Sequence, residues 1–263
     1  MDEIDRKIIF YYLQEARVQQ RKISTELNIS PQVLKYRFDK LVSNGIIKKF
    51  VLHVNPAIYN KKVGFAAFKG SSSYNDHVFT EIKCLEELSI YGFYGDSDDE
   101  VSENIKKASG KLGPTAMRYI PVMDDHPSLN KYDNSIIESL RKNPRRSASE
   151  IAQELNLRYH FVKRRINYML KKNIISIIPI LDLSKTDIVL FGLFTMNFKA
   201  VSKIVEDITL FNVNDLKSGI SICFSESLSG AKQIINKCRE IDKNIDVMVI
   251  YEYDFYDDFN GVN

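Results

Sequence analysis

Residues 30–47, SPQVLKYRFDKLVSNGII, place long hydrogen-bonding side chains on one face of a predicted helix. Ser30 is a capping residue, Pro31 suits the first helical position, and Asn44-Gly45 closes the segment. Val33, Leu34, Phe38 and Leu41 recur at helical spacing toward a core, which leaves Gln32, Lys35, Tyr36, Arg37 and Lys40 facing outward. Amide, ammonium, guanidinium and phenol groups on such a face suit hydrogen bonds to base edges and charge pairing with phosphates. Residues 158–175, RYHFVKRRINYMLKKNII, have the same shape 128 positions later and align His160, Lys163, Arg164, Arg165 and Tyr168 with those five.

The two segments belong to a longer repeat. Asp5–Ile47 slides onto Asp133–Ile175 without a gap, and 12 of the 43 positions are identical, among them Asp5, Arg17, Asn28, Lys35 and Arg37 with their counterparts. Each copy reads as helix, short break, helix, three-residue turn, helix and then a β-branched extended segment. In the first copy Ile4, Ile8, Ile9 and Leu13 form an apolar stripe, Ile23 and Leu27 mark the second helix, and NIS is the turn. Three helices followed by a basic extended wing follow the winged helix-turn-helix plan, whose third helix fits the major groove. Lys48 and Lys49 load the first wing, whereas the second has Ser176 and Ile177 at those positions.

Charge segregates with the repeat. The net charge of +3 conceals +4 over residues 1–60 and +7 over residues 131–181, which leaves −8 for the remainder. Two basic stretches on an acidic body are the pattern of a polyanion-binding surface. No apolar run reaches bilayer-spanning length, and the acidic start MDEIDRKIIF lacks the order of a signal peptide, so a cytoplasmic protein without a membrane partner is expected. Cys84, Cys223 and Cys238 form no C-x-x-C pair and read as core thiols of a reducing compartment.

The segments that follow each basic stretch are of another kind. Residues 63–123 read as β-α-β-α-β, with NDHVFTEIKCLEEL as an amphipathic helix. The later segment, from IVLFGLFTMNF to DVMVIYEYDF, fits a β-α-β-β-α-β ferredoxin-like unit. The fold class expected is therefore α+β: winged helix-turn-helix units at 1–56 and 127–182, and ferredoxin-like units at 57–126 and 183–263, the main boundary lying near Pro127.

Residues 2–56, with Asp5, the Ile29-Ser30-Pro31 turn, Leu41 followed by Gly45-Ile46-Ile47, and Asn55-Pro56 in family order, resemble the start of Lrp/AsnC (leucine-responsive) transcription regulators. The resemblance covers nearly the whole chain, twice, where the family usually carries one such pair of domains. Against the family pattern, the first sensing unit reads as one strand short around Gly92–Asp98. The resemblance implies double-stranded DNA as partner and a small effector such as an amino acid, bound near the turns at Gly95-Asp96 and Gly219. It also implies association of sensing units, expected here as a homodimer of like halves. Glycine at a tight turn needs no ligand, so packing competes with effector binding at those turns.

No catalytic constellation, metal site or cofactor motif emerges. Asp96, Asp98, Asp99 and Glu100 sit where a helix begins and complement its dipole. His53, His77, His126 and His160 are scattered, and GKLGPT at 110–115 is too short and wrongly ordered for a phosphate-binding loop. A non-enzymatic regulator is expected. Two alternatives share the plan: a tetrapyrrole (siroheme) decarboxylase resembling this family, and a ligand-sensing assembly protein that no longer touches DNA.

Overall fold

The computed structural model describes residues 1–70, 73–121, 128–214 and 217–256. The boundary expected near Pro127, and His126, lie outside the described residues. The first helical unit comprises α1 (Glu3–Gln14), α2 (Gln20–Glu26) and α3 (Pro31–Ser43), followed by strand β1 (Ile47–Val54). The second comprises α5 (Asp133–Lys142), α6 (Ala148–Glu154) and α7 (Tyr159–Lys171), followed by β6 (Ile175–Leu181). Local chemistry sets these ends. Asp2 accepts from the Asp5 amide, Ser30 accepts from the Val33 amide with Pro31 in the first turn, and Ser147 forms a reciprocal capping box with Glu150. Left-handed residues recur at matched positions, Asn28 with Asn156 in the turns and Gly45 with Asn173 after the third helices.

The wings pair with each other. β1 and β6 form an antiparallel ribbon in which Phe50 lies opposite Pro179 and His53 opposite Ser176. Backbone bonds from Asn55 to Ile174 (2.9 Å) and from Asp182 to Ile46 (2.8 Å) close its two ends in matching fashion.

Behind the ribbon lies one eight-stranded sheet. The first unit supplies β2 (Lys62–Lys69), β3 (Val78–Cys84), β4 (Leu88–Gly95), α4 (Asp98–Leu112) and β5 (Thr115–Tyr119). The second supplies β7 (Val189–Thr195), α8 (Phe198–Val205), β8 (Thr209–Asn214), β9 (Gly219–Ser225), α9 (Leu228–Ile241) and β10 (Asp246–Phe255), the β-α-β-β-α-β order read from the sequence. The sheet runs β5-β2-β4-β3-β10-β7-β9-β8, so each half keeps the ferredoxin-like strand order and the halves join where β3 pairs with β10. The long β10 makes this join by pairing with β7 over its first part and with β3 over its last. Val63, Phe65, Phe79 and Tyr119 of one half pack with Ile220 of the other, so the inner faces meet, while α4 and the α8/α9 pair cover the outer faces.

Two expectations are corrected. The segment NDHVFTEIKCLEEL is not a helix: residues 78–84 form β3, hydrogen-bonded between β4 and β10. The Glu and Lys residues that favoured a helix find cross-strand partners instead, Glu81 with the hydroxyls of Tyr91 (2.7 Å) and Tyr256 (3.0 Å), and Lys83 with Glu252 (3.0 Å). With residues 78–84 as a strand beside β2, β4 and β5, the first unit has all four strands and, among the described residues, one helix where the second has two. Within this chain the two wings join through β1–β6 and the two sheet halves through β3–β10.

The three cysteines are buried, and burial pushes the Cys84 and Cys223 thiols up to about 12. Among the described residues no helix is long and apolar enough to cross a membrane.

His53 lies where the ribbon meets the sheet, its ring 5.5 Å from those of Phe79 and Phe255 and its Nδ1 enclosed without a hydrogen-bond partner among the described residues. Burial pushes this imidazole down from 6.5 to about 4. The unfolded chain takes up the proton first, so stability is full above the unfolded value and falls as pH drops toward the folded one. Urea unfolding between about pH 7 and about pH 4.5 should show a loss of about 2 kcal/mol that His53→Phe removes; an unchanged slope would refute the assignment.

Candidate nucleic-acid interface

The outward faces of α3 and α7 are built alike. In each unit the apolar side of the third helix enters the local core, with Leu34 and Leu41 buried in α3 and Val162, Ile166 and Met169 buried in α7. Gln32, Lys35, Tyr36 and Lys40 are exposed on α3, Tyr36 by 68%. His160, Lys163 and Arg164 are exposed on α7, while Tyr168 is half-buried beneath the Arg165 guanidinium at 4.4 Å. Lys35 is steadied by Asp39 one turn on (2.5 Å), Lys163 leans over the Tyr159 ring (5.9 Å), and Arg164 over that of Phe161 (5.9 Å).

Arg37 and Arg165 leave the outward set. Arg37 Nη1 donates to Asp2 (2.6 Å) and to Asp5 (2.8 Å) of α1. Arg165 forks onto Asp133 of α5, with Nε at 2.8 Å from Oδ1 and Nη2 at 2.5 Å from Oδ2. Hydrogen bonds to Asp2 and Asp5 raise the pKa of Arg37, and the bond to Asp133 raises that of Arg165. Asp133 is fully buried, so this matched pair ties the first helix of each unit to the third rather than reading a ligand. Lys48 is exposed on β1, but Lys49 is paired with Asp254 of β10 (2.9 Å), because the ribbon lies against the sheet.

Val33, expected in the core, is 42% exposed on the outward face, where an aliphatic side chain suits the thymine methyl group. Sequence reasoning also passed over exposed Tyr159, Asn167 and Lys171 on α7, and over Arg21 of α2. Arg21, Ser24, Thr25, Asn28 and Ser30 line an open hollow of about 490 Å³ at the corner between α2 and α3. Helical spacing already put Lys171 in line with Lys163 and Arg164; the hollow depends on how α2 meets α3, which spacing does not reveal.

The turn residues have packing explanations. A Cβ on Gly95 would lie 3.0 Å from the Val101 amide nitrogen at the start of α4, and one on Gly219 would lie 2.4 Å from the Phe198 ring. Asp96 is exposed and paired with Lys61 (2.5 Å), and its amide donates to Glu100 (2.6 Å). No group of three metal-ligating side chains is found among the described residues.

Removing one partner of a buried ion pair strands the other, so Arg165→Ala should cost about 3–5 kcal/mol in chemical denaturation. Lys163→Ala, on the open face, should stay within about 0.5 kcal/mol. Equal effects would show that Arg165 is not structural.

Residues 1–48 match the family model described as winged helix-turn-helix DNA-binding. An uncharacterized HTH-type transcriptional regulator of Pyrococcus horikoshii is 24% identical over 143 residues, covering 54% of this chain and 89% of that protein. Among solved structures, B. subtilis LrpC covers 49% of this chain and 99% of its own, with a TM-score of 0.33 and 19% identity. The siroheme decarboxylase NirDL covers 95% of this chain and 91% of its own, with a TM-score of 0.45 and 8% identity. The family model thus identifies residues 1–48 as similar to winged helix-turn-helix DNA-binding units, and the same order of three helices and a strand recurs at residues 133–181.

Proposed function

We propose that the chain is a sequence-specific transcription regulator that reads duplex DNA with two helix-turn-helix units carried on one polypeptide. The observation that carries this reading is the pair of matched outward faces: Gln32, Val33, Tyr36 and Lys40 on α3, and His160, Lys163, Arg164 and Lys171 on α7, left open by the cores that hold them. Base edges would be read by Gln32, Tyr36, His160 and Arg164, with Lys35, Lys40, Lys48, Lys163 and Lys171 placed for phosphates. Arg37, Arg165 and Lys49 have other partners and serve position rather than contact.

One chain supplies both halves of the unit that reads DNA. The pairing of the two wings and of the two sheet halves within one chain supports this reading. Light scattering at micromolar concentration should then give 30.4 kDa; about twice that mass restores the homodimer. A small effector fits the open groove of about 490 Å³ between α4 and β5, lined by Ser102, Ser109, Thr115 and Arg118, better than the filled turns at Gly95 and Gly219. The Arg118 guanidinium and the hydroxyls suit a carboxylate such as that of an amino acid.

Six or so phosphate contacts imply that log K falls with log salt with a slope of about −5. Genomic-fragment selection followed by salt titration measures it, and the double change Lys163→Ala with Lys171→Ala should make the slope shallower by about 2. Absent or salt-insensitive binding refutes the regulator reading. Saturable siroheme binding with loss of carboxyl groups from the substrate would establish the decarboxylase alternative instead.

A further inference from the structure

Between the two helical units, Arg145 crosses from one into the other. It lies in the loop joining α5 to α6, and its guanidinium carbon is 5.0 Å from the ring centroid of Tyr12, 4.8 Å from that of Phe38 and 4.7 Å from that of Phe50. Those rings come from α1, α3 and β1, all elements of the first unit. Arg17, the repeat counterpart of Arg145, reaches back the other way and donates to the Pro144 carbonyl at 3.0 Å. Burial, and then the nearby Arg145, lower the pKa of Arg17. Among the described residues neither arginine makes an ion pair, so two like charges are held close together, with ring faces around one and a carbonyl on the other.

The repeat shows that the cage is not a requirement of the three-helix core. Tyr12, Phe38 and Phe50 correspond to Leu140, Ile166 and Ile178, all aliphatic, and of these Leu140 and Ile166 fill the core of the second unit while Ile178 packs against the core of the first. The aromatic set stands where a cation arrives from the other unit. Phe38 belongs to α3 itself, next to Arg37 and one turn from Leu34, so the contact grips the reading helix from behind.

We propose that Arg145, seated among Tyr12, Phe38 and Phe50, is a positioning residue that fixes α3 relative to α7 and thereby the half-site spacing the protein accepts; the half-site part rests on the DNA-reading function proposed above. A planar guanidinium stacks on several rings at once, which an ammonium on a flexible stem does not. The β1–β6 ribbon joins the units at one end of each, and Arg145 adds a second point of attachment, which removes the hinge that a single ribbon would leave.

The test has two arms. Spin labels at the repeat-matched exposed positions Ser43→Cys and Lys171→Cys report the distance between the two helices in the full chain without DNA, the native cysteines being buried. The unaltered clamp should give one narrow distance distribution, and Arg145→Ala should broaden it. Phe38→Ile, which installs the second unit's own residue, should do the same, and Arg145→Lys should fall between. In the second arm a selected site is lengthened by about 5 bp, half a helical turn. The wild type should lose at least about tenfold in affinity and Arg145→Ala less than about threefold. An unchanged distance distribution in folded Arg145→Ala or Phe38→Ile, or unchanged spacing discrimination, overturns the proposal. Failure of the wild type to bind any duplex refutes the DNA-reading function and the half-site part with it, and the label distances then decide whether Arg145 fixes the helices.

Discussion

The antiparallel pairing of β1 with β6 is the constraint on which the other arrangements rest. Each strand follows the third helix of its own unit and leads to its own sheet half, so the antiparallel pairing sets the first helical unit beside the second half of the sheet, where Phe10 packs on Phe224 at 4.7 Å and Arg6 pairs with Asp187 at 2.8 Å. A free wing would leave a row of amide and carbonyl groups open and β-branched side chains such as Ile177 and Val54 in water. Pairing satisfies the backbone and buries those side chains in the core of the second helical unit. The consequence reaches Lys49, which the pairing turns toward Asp254 of the sheet rather than toward a ligand.

The helical units depend on a second, more local constraint. Asp5 with Arg37 and Asp133 with Arg165 are each 32 residues apart and tie the first helix of a unit to the third. A carboxylate as deeply buried as Asp133 is tolerable only with a cation in bidentate contact, which determines where Arg165 points and, through stacking, where Tyr168 sits. The residues left to meet a partner are those on the far side of the same helices. The basic excess of +7 over residues 131–181 survives this pairing, since Glu138, Glu154 and Asp133, which hold Arg141, Arg146 and Arg165, are already subtracted in it.

The two halves of the sheet reach the same strand order by different means. In the second, α8 and α9 cover the outer face; in the first, α4 covers β2 and β4, and Tyr74 packs on Tyr91 and Phe93. Glu81, buried there, is held by two tyrosine hydroxyls rather than by a cation. With two helices on the second half and, among the described residues, one on the first, the two ends of the molecule have different outer surfaces, and the groove beside Arg118 belongs to the first half.

The repeat, the helix caps and the turns were legible in the sequence because they are local. Ser30 with Pro31 and the Asn28-Ile29-Ser30 turn act over a few residues, and the 128-residue offset shows the turn asparagine again at Asn156. The β-α-β-β-α-β order of the second half was legible for the same reason, since its apolar periods are clean. What only the tertiary structure decided is partnership across long separations. Residues 78–84 carry helix-forming Glu and Lys, and they become a strand because β4 and β10 offer hydrogen bonds on both edges and Glu252 and Tyr256 offer partners to the charges. Arg37 and Arg165 look outward on a helical wheel, yet Asp5 and Asp133 draw them inward. Local propensity amounts to tenths of a kcal/mol per residue, whereas a stranded buried charge or an unpaired strand edge costs several kcal/mol, so wherever the two compete the distant partner sets the structure.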